Sequence, residues 1–542
     1  MKNICFMLIL ALQPLVVSAE MKCNTYIDGI YYILNSTEKT ATVSYECYDE
    51  ETCRWYSSYE GNVVIPREVT YKGEKYSVTS IGSQAFYVCK DMTSLTIPSS
   101  VTSIDEWAMI GCTGLISIRV ESGNPKYDSR NNCNALIETG TNTLLKGSMN
   151  TTIPNTVTAI GSDAFSGLKS ITSITIPGSV LTIGNSAFSQ CTNLSSVTIK
   201  NGVKDIGQGV FTFCYKLTSI TIPKSVTNIQ RNSFTGCYNL SSITVEKGNP
   251  KYDSRNNCNA IIETESTTLI TGCKNTIIPH SVTSIGGSAF MGLNSLTSIT
   301  IPEGVTCLYD YAFDQCSRLT SISIPNSITT MGYDALGSAW YLKQPDGIVY
   351  AGKVLYGYKG TMAENTRITI PEGTLGIARG AFADCEGLVS VTIPSSVVSV
   401  GGKSFSWIIG NGVMTVVSGP AAFSGCVNLA SICVLNSDPP YCDSFSPFSY
   451  DLKDKADLWV PQGSLEAYKA ADGWKLFQNI KELIPGDANL DGVVDAADIV
   501  ETINAVKGAQ SACFFLHNAD LNGNNQADAD DVMAIADIIM GR

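Results

Sequence analysis

Val203–Ser225 reads VKDIGQGVFTFCYKLTSITIPKS, and the same pattern returns every 23 residues along most of the chain. In general form it is V-x-x-I-x-x-x-A-F-x-x-C-x-x-L-x-S-I-T-I-P-x-S. A copy opens at Val78, Val101, Val157, Val180, Val203, Val226, Val282, Val305 and Val397, with Ile328 and Thr374 as variants. Self-similarity at a fixed period in this range marks a solenoid. A unit this short cannot bury its apolar face alone, so neighbouring copies must stack.

Inside one copy, Leu217-x-x-Ile220-x-Ile222 alternates branched apolar and polar residues, the pattern of a strand with one buried side. Pro223 ends it, because proline has no N–H to give a ladder. Val226 and Ile229 turn back into the core. The A-F-x-x-C-x-x-L segment is too short for more than a helical turn or two. The fold class predicted is therefore a mainly β solenoid of leucine-rich-repeat type, with parallel strands and short helical turns.

The cysteine slot holds Cys89, Cys112, Cys191, Cys214, Cys237, Cys316, Cys385 and Cys426, yet Leu168 and Leu293 fill it in two copies. A site that exchanges Cys for Leu is an apolar packing site rather than a bridge or a ligand. Cys47, Cys53, Cys433 and Cys442 lie outside the register, so Cys47/Cys53 and Cys433/Cys442 are the disulfide candidates. The outward strand positions are nearly all hydroxylated: Ser94/Thr96, Ser173/Thr175, Ser196/Thr198, Ser219/Thr221, Ser242/Thr244, Ser298/Thr300, Ser321/Ser323 and Ser390/Thr392. Thr suits strands and pairs across them. Such a face fits a broad protein contact better than ordered water or sugar stacking.

Two insertions break the period. Both carry GNPKYDSRNNCNA, at Gly123–Ala135 and Gly248–Ala260, and both read as protruding hairpins. Their Tyr-Asp-Ser-Arg segments offer a bivalent binding feature, with recent duplication as the plain alternative. A third excursion, Asp346–Gly360, lengthens another copy. Before the array, ten of the 24 tyrosines crowd between Tyr26 and Tyr87. This segment reads as a strand-built cap, with an aromatic sugar-stacking surface as the alternative.

At 542 residues the chain exceeds any single globular core, and its net charge is −13. Residues 485–542 hold ten acids against Lys507 and Arg542, so most of that charge sits there. Nothing is basic enough to hold nucleic acid. Lys2, the apolar run Ile4–Leu12 and Val17-Ser18-Ala19 form a signal peptide over residues 1–19. No later run approaches a membrane span. The mature chain is expected to be secreted, extracellular or attached at a bacterial cell surface.

The repeat VTSIGxxAFxxCxxLTSITIPxS resembles the BspA-type leucine-rich repeat of bacterial surface proteins, over about Val78–Cys433. Leu458–Ile480 is similar to the closing segment that often follows such arrays. The resemblance implies a non-catalytic role in adhesion, through a protein or cell-surface ligand of the solenoid.

After Pro485-Gly486 the pattern changes. Asp487, Asn489, Asp491, Asp495 and Asp498 stand at positions 1, 3, 5, 9 and 12 of a loop, with the Val493 carbonyl at 7. Asp520, Asn522, Asn524, Gln526, Asp528 and Asp531 repeat it 33 residues on. Oxygen donors at this spacing suit Ca²⁺, so two ions are expected. Gly492 serves the sharp turn at position 6, where the second loop has Asn525. Ile499, Ile503 and Val506, then Val532, Ile535 and Ile539, follow at helical spacing. Loop–helix pairs of this kind resemble a type I dockerin, a small all-α calcium-binding domain. That resemblance implies docking to a cohesin-like scaffold. Ala496/Ala497 and Ala529/Asp530 replace the Ser-Thr pair of well-known cellulosomal members.

The domains expected are a signal peptide (1–19), an N-terminal cap (20–77), a solenoid (78–435), a C-terminal cap (436–484) and a dockerin-like domain (485–542). The hairpin inserts fall near 121–152, 246–277 and 340–366. No catalytic residue is assigned: His280 and His517 are the two histidines, and no nucleophile elbow or phosphate loop occurs. The alternative function is a component of a polysaccharide-degrading complex, with a carbohydrate-binding or hydrolase-associated role.

Overall fold

Each copy of the repeat closes one turn because its strand is stopped by proline and its far side is bent twice. In the computed structural model, residues 24–49, 54–402, 419–442, 448, 450–509, 514–524 and 526–542 are described. The signal peptide, Cys53 and Asn525 lie outside them, as does the Cys47 side chain. The chain divides into two units, Met1–Ile171 and Thr172–Arg542. No described helix is long and apolar enough to cross a membrane.

In the first unit, Thr25–Ile27, Ile30–Asn35 and Thr40–Ser44 form an antiparallel cap. Thr40–Ser44 then pairs in parallel with Glu74–Ile81, which starts the array. Gly61–Val64, Met92–Ile97 and Ser117–Val120 make the first parallel strand ladder. Inward Leu95, Ile97 and Ile118 are buried with Val101, Leu115 and the Tyr59 and Phe86 rings.

In the second unit the repeat strands pair in register, Ser173–Ile176 with Ser196–Ile199 and Ser219–Ile222 with Ser242–Val245. The V-x-x-I stretch adds a second parallel ladder that the sequence pattern did not suggest. Thr182–Ile183, Asp205–Ile206 and Asn228–Ile229 are its rungs. Between the two ladders the chain runs through turns, not helix. Two left-handed residues per copy prevent helix from forming, for instance Ser186 and Gln190, or Gly209 and Phe213. The turns form a third ladder instead. Phe188 N–H donates to the Val210 carbonyl at 2.9 Å, and Phe211 N–H to the Ser233 carbonyl at 2.8 Å. Backbone groups that a helix would have satisfied internally are thus satisfied by the next copy.

The Phe slot stacks into a column. Ring centroids of Phe188, Phe211 and Phe234 lie 5.6 and 5.5 Å apart, nearly parallel. Phe382, Phe423 and Phe448 continue at 5.3 and 5.5 Å, and Trp474 and Phe477 close that end. The cysteines line this column as thiols. Cys112 donates to the Phe86 carbonyl at 3.0 Å, Cys214 to Phe188 at 3.2 Å and Cys237 to Phe211 at 3.1 Å. Burial pushes the Cys112, Cys237, Cys316 and Cys426 thiols up to about 12. At neutral pH they carry no thiolate and present no nucleophile. A thiol reagent should leave these register cysteines unlabelled in the native protein and label them fully in denaturant. Fast native labelling of Cys237 would contradict the packing.

Three expectations are corrected. The duplicated inserts do not protrude. Tyr127–Asp128, Leu136–Glu138 and Thr143–Lys146 pair antiparallel in turn, and the last joins Ala159–Ile160 in parallel. Each insert therefore adds strands beside the V-x-x-I strand of the copy that follows it, and Tyr252–Asp253, Ala260–Glu263 and Thr268–Gly272 repeat the arrangement beside Ser284–Ile285. The A-F-x-x-C segments are turns where helical turns were expected. Cys433 and Cys442 do not bridge, because they belong to separate ladders: Cys433 pairs with Thr392 and Trp459, Cys442 with Val400.

Beyond the array, Asp457–Val460 and Asn479–Glu482 add two more parallel strands. The helix Leu465–Ala470 packs beside them, with the Tyr468 hydroxyl donating to the Asn436 carbonyl at 2.9 Å. The chain ends in the helices Ala496–Val506, Leu516–Ala519 and Ala529–Ile539.

Candidate binding face and calcium loops

Alternation fixes which side chains leave the solenoid. In Ser219–Ile222, Ile220 and Ile222 are buried while Ser219 and Thr221 are exposed. Ser173/Thr175 and Ser298/Thr300 behave alike. In-register pairing sets Ser173 beside Ser196, Thr175 beside Thr198, Ser219 beside Ser242 and Thr221 beside Thr244. Parallel strands lie about 4.8 Å apart, so the hydroxyls form rows at that spacing. Toward the end of the array the rows change. Ser431 donates to Ser390 at 2.9 Å, but the next outward pair is Thr392 and Cys433, followed by Trp459 and Lys481. Lys481 Nζ sits 5.0 Å from the centre of the Trp459 ring.

This apolar end is covered by the chain itself. Cys433, Trp459 and Leu483 are buried, and Leu435, Leu490 and Phe515 pack against them. Leu490 belongs to the first acidic loop. The C-terminal helices thus lean on the last strands through an aromatic contact that replaces the hydroxyl row.

The duplicated Tyr-Asp-Ser-Arg segments are engaged internally. Arg130 donates to both Asp128 oxygens, at 2.8 and 2.6 Å, and also to Asn142 at 2.8 Å. Arg255 repeats the pair with Asp253. Tyr127 is buried, its hydroxyl accepting from Ile104 N–H at 3.2 Å, and Tyr252 does the same for Ile229 at 3.1 Å. These residues hold the insert onto the preceding copy and leave little to offer a partner.

In the first acidic loop, Asp487 Oδ1 accepts from Asp491 N–H at 3.1 Å and Oδ2 from Gly492 N–H at 2.9 Å. Asp498 accepts from Asn489 N–H at 3.1 Å and from Asp495 N–H at 2.8 Å. Asn489 Nδ2 donates to Asp491 at 2.9 Å. Positions 1, 3, 5, 9 and 12 are thus tied into one hydrogen-bonded loop. The Val493 N–H closes on Asp491, while its side chain faces solvent. In the second loop, Asp531 accepts from Asn522 and Asp528 N–H groups, and Asp520 from Gly523 and Asn524. Asn524 Nδ2 reaches Asp528 at 2.7 Å, and Gln526 N–H donates to Asn524.

Asp495/Asp498 and Asp528/Asp531 are also capping boxes of their helices, which by itself accounts for acids at positions 9 and 12. It does not account for Asp487, Asp491 or Asp520. Asp487, Asp498 and Asp531 are fully buried. Burial, then the charges of Asp498 and Asp491, push the Asp487 carboxyl above its ordinary value. Carboxylate and amide oxygens are the donor types that a hard divalent cation takes. As the carboxylates lie here they turn to backbone N–H groups, and no three acidic, His or Cys side chains among the described residues are clustered tightly enough to hold a metal. Of the apolar residues at helical spacing, Val506 and Ile539 are exposed, while Thr502 is buried and donates to the Asp498 carbonyl.

The profile of the BspA type leucine-rich repeat region matches residues 69–139, 145–262, 260–345 and 356–437. No curated protein matches. Among solved structures, a leucine-rich cell surface protein from Faecalibacterium prausnitzii A2-165 is 24% identical, covering 76% of this chain and 94% of that one, at a TM-score of 0.40. A leucine-rich-repeat protein from Bacteroides ovatus is 24% identical over 81% of this chain and 100% of its own, at 0.36. The pneumococcal vaccine antigen PcpA is 18% identical over 85% and 98%, at 0.38.

Proposed function

The chain belongs to the BspA-type leucine-rich-repeat family, and from that membership we propose an extracellular, non-catalytic recognition protein. Its solenoid engages a protein or cell-surface partner, and its C-terminal module takes two Ca²⁺ ions and docks, dockerin-like, to a cohesin-like scaffold.

The observation that carries the first half is the exposed, in-register row of hydroxyls on the parallel strands. Ile220, Ile222, Ile243 and Val245 are buried behind it, which holds the row in place. Breadth, not depth, is what such a surface offers, and that suits a folded partner. Hydroxyls on the row accept and donate, so partner contacts need no charge matching. The second half rests on the paired loops and on Val500 and Met533. These occupy equivalent places one turn into the two helices, and 55% and 65% of their surface is exposed.

The full mature chain, immobilised with and without Ca²⁺, separates the two contacts. Replacing Thr198 and Thr221 by Glu should abolish capture through the solenoid while leaving the melting temperature unchanged. Val500→Glu with Met533→Glu should abolish only the Ca²⁺-dependent capture. Partner retention that survives both pairs would refute the assignment.

A further inference from the structure

The N-terminal cap carries a cleft that the recognition row does not use. Its volume is about 500 Å³, within the range of small-molecule sites. Tyr26 and Tyr31 face each other across the antiparallel pair of Thr25–Ile27 with Ile30–Asn35, their ring centres 4.8 Å apart. Tyr59 stands at 6.3 Å from Tyr31 and forms the floor. Tyr59 is committed to structure, donating to the Ser44 carbonyl and accepting from Tyr31 N–H. Tyr26 is not: 61% of it is exposed, an unusual position for a ring of this size.

The rim is polar and rigid. Asp28 and Gly29 form the two-residue hairpin turn, both with positive φ, and Asp28 lines the cleft with the two rings. Glu60 also lines the cleft, and Asn62 stands at the end of the outward row, its Oδ1 accepting from Ser94. Four other acids of this unit hold bases: Glu68 with Lys75, Glu74 with Lys39, Glu121 with Arg67, Asp128 with Arg130. Asp28 and Glu60 have none among the described residues, and neither receives an N–H or O–H.

We propose that this cleft binds an uncharged pyranose unit of a glycan. A pyranose has a C–H face that lies against a tyrosine ring and a girdle of hydroxyls that donate outward. Ionised Asp28 and Glu60 only accept, so they match those donors, and the Asn62 amide supplies a donor in return. At about 500 Å³ the cleft has room for more than one lysine or arginine head. A basic peptide is the competing occupant, since the same rings and carboxylates attract a cation.

The test uses the whole mature protein in affinity electrophoresis against neutral polysaccharides (a glucan, a mannan and a xylan) and, separately, oligolysine. At least one polysaccharide should retard the protein regardless of salt. Tyr26→Ala should weaken that retention roughly tenfold. Asp28→Asn, which keeps an acceptor and loses the charge, should weaken it less than Tyr26→Ala. Both positions are exposed, and unchanged melting of both variants establishes that they fold. No retardation by any polysaccharide, or equal retardation of Tyr26→Ala, overturns the proposal. Salt-sensitive oligolysine binding that Asp28→Asn abolishes, without glycan binding, overturns it in favour of a basic peptide. Capture of a protein partner by the Thr198/Thr221 row is read separately and is unaffected by Tyr26→Ala.

Discussion

Removing Ca²⁺ with a chelator should cost the C-terminal module most of its stability while the solenoid melts as before. At free Ca²⁺ a hundredfold above its dissociation constant, binding to the folded state alone contributes about 2.7 kcal/mol per site. Asp498→Ala should remove the first site. It should also cost a further ~1 kcal/mol even in chelator, because Asp498 closes the capping box by accepting from Asp495 N–H. Calorimetry of the full chain with Ca²⁺ and with chelator shows both effects. A low-temperature transition that ignores Ca²⁺ in the parent protein would rule out the cation, while leaving the capping role of Asp498 intact.

Phe211→Ala should be the most damaging single change in the array. The ring is fully buried and stacked on Phe188 and Phe234, and its carbonyl takes the Cys237 thiol. Deleting a buried phenylalanine costs about 3–5 kcal/mol. In a stacked array each copy depends on its neighbours, so the loss should spread to the flanking copies before it reaches the rest. Hydrogen exchange over residues 180–245 would show this as lost protection centred on the substitution. Thr221→Ala, ten residues away on the exposed side, should cost under about 0.5 kcal/mol. A Phe211→Ala cost below about 1 kcal/mol would mean that the column is ornament and the strands hold the fold.

The strand core was legible because its signal is strong and local. Leu217, Ile220 and Ile222 alternate with Ser219 and Thr221, and proline closes the run. The second ladder was not legible, because a rung of two residues such as Asp205–Ile206 has no period to detect. The turns escaped for a different reason. Their left-handed positions hold Ser186, Gln190, Gly209, Phe213 and Asn232, which share no propensity that marks them. Only the neighbouring copy's carbonyls make that conformation worthwhile. Cys433 misled because it falls outside the cysteine register. It occupies an outward strand slot, and what buries it, Trp459 with Leu490 and Phe515, comes from far along the chain. At the acidic loops the spacing of Asp and Asn announced which side chains converge, whereas the burial of Leu490 under the last strands required the tertiary contact.

The near-identity of the copies has a further cost. Phe188, Phe211 and Phe234 present almost the same ring, thiol and strand to whatever lies next to them. A segment stacked one copy out of place would keep most of its contacts, so the array has many near-degenerate alignments during folding. The inserts break that degeneracy. Each insert adds antiparallel strands, and its tyrosine accepts from the V-x-x-I slot of the copy before it, so a segment slipped by one copy would set insert strands where a plain copy belongs. The third insert is held together within itself, the Tyr341 hydroxyl donating to the Tyr358 carbonyl. The irregular pieces act as keys in a lock of identical wards: they count the copies, and so make one alignment the correct one.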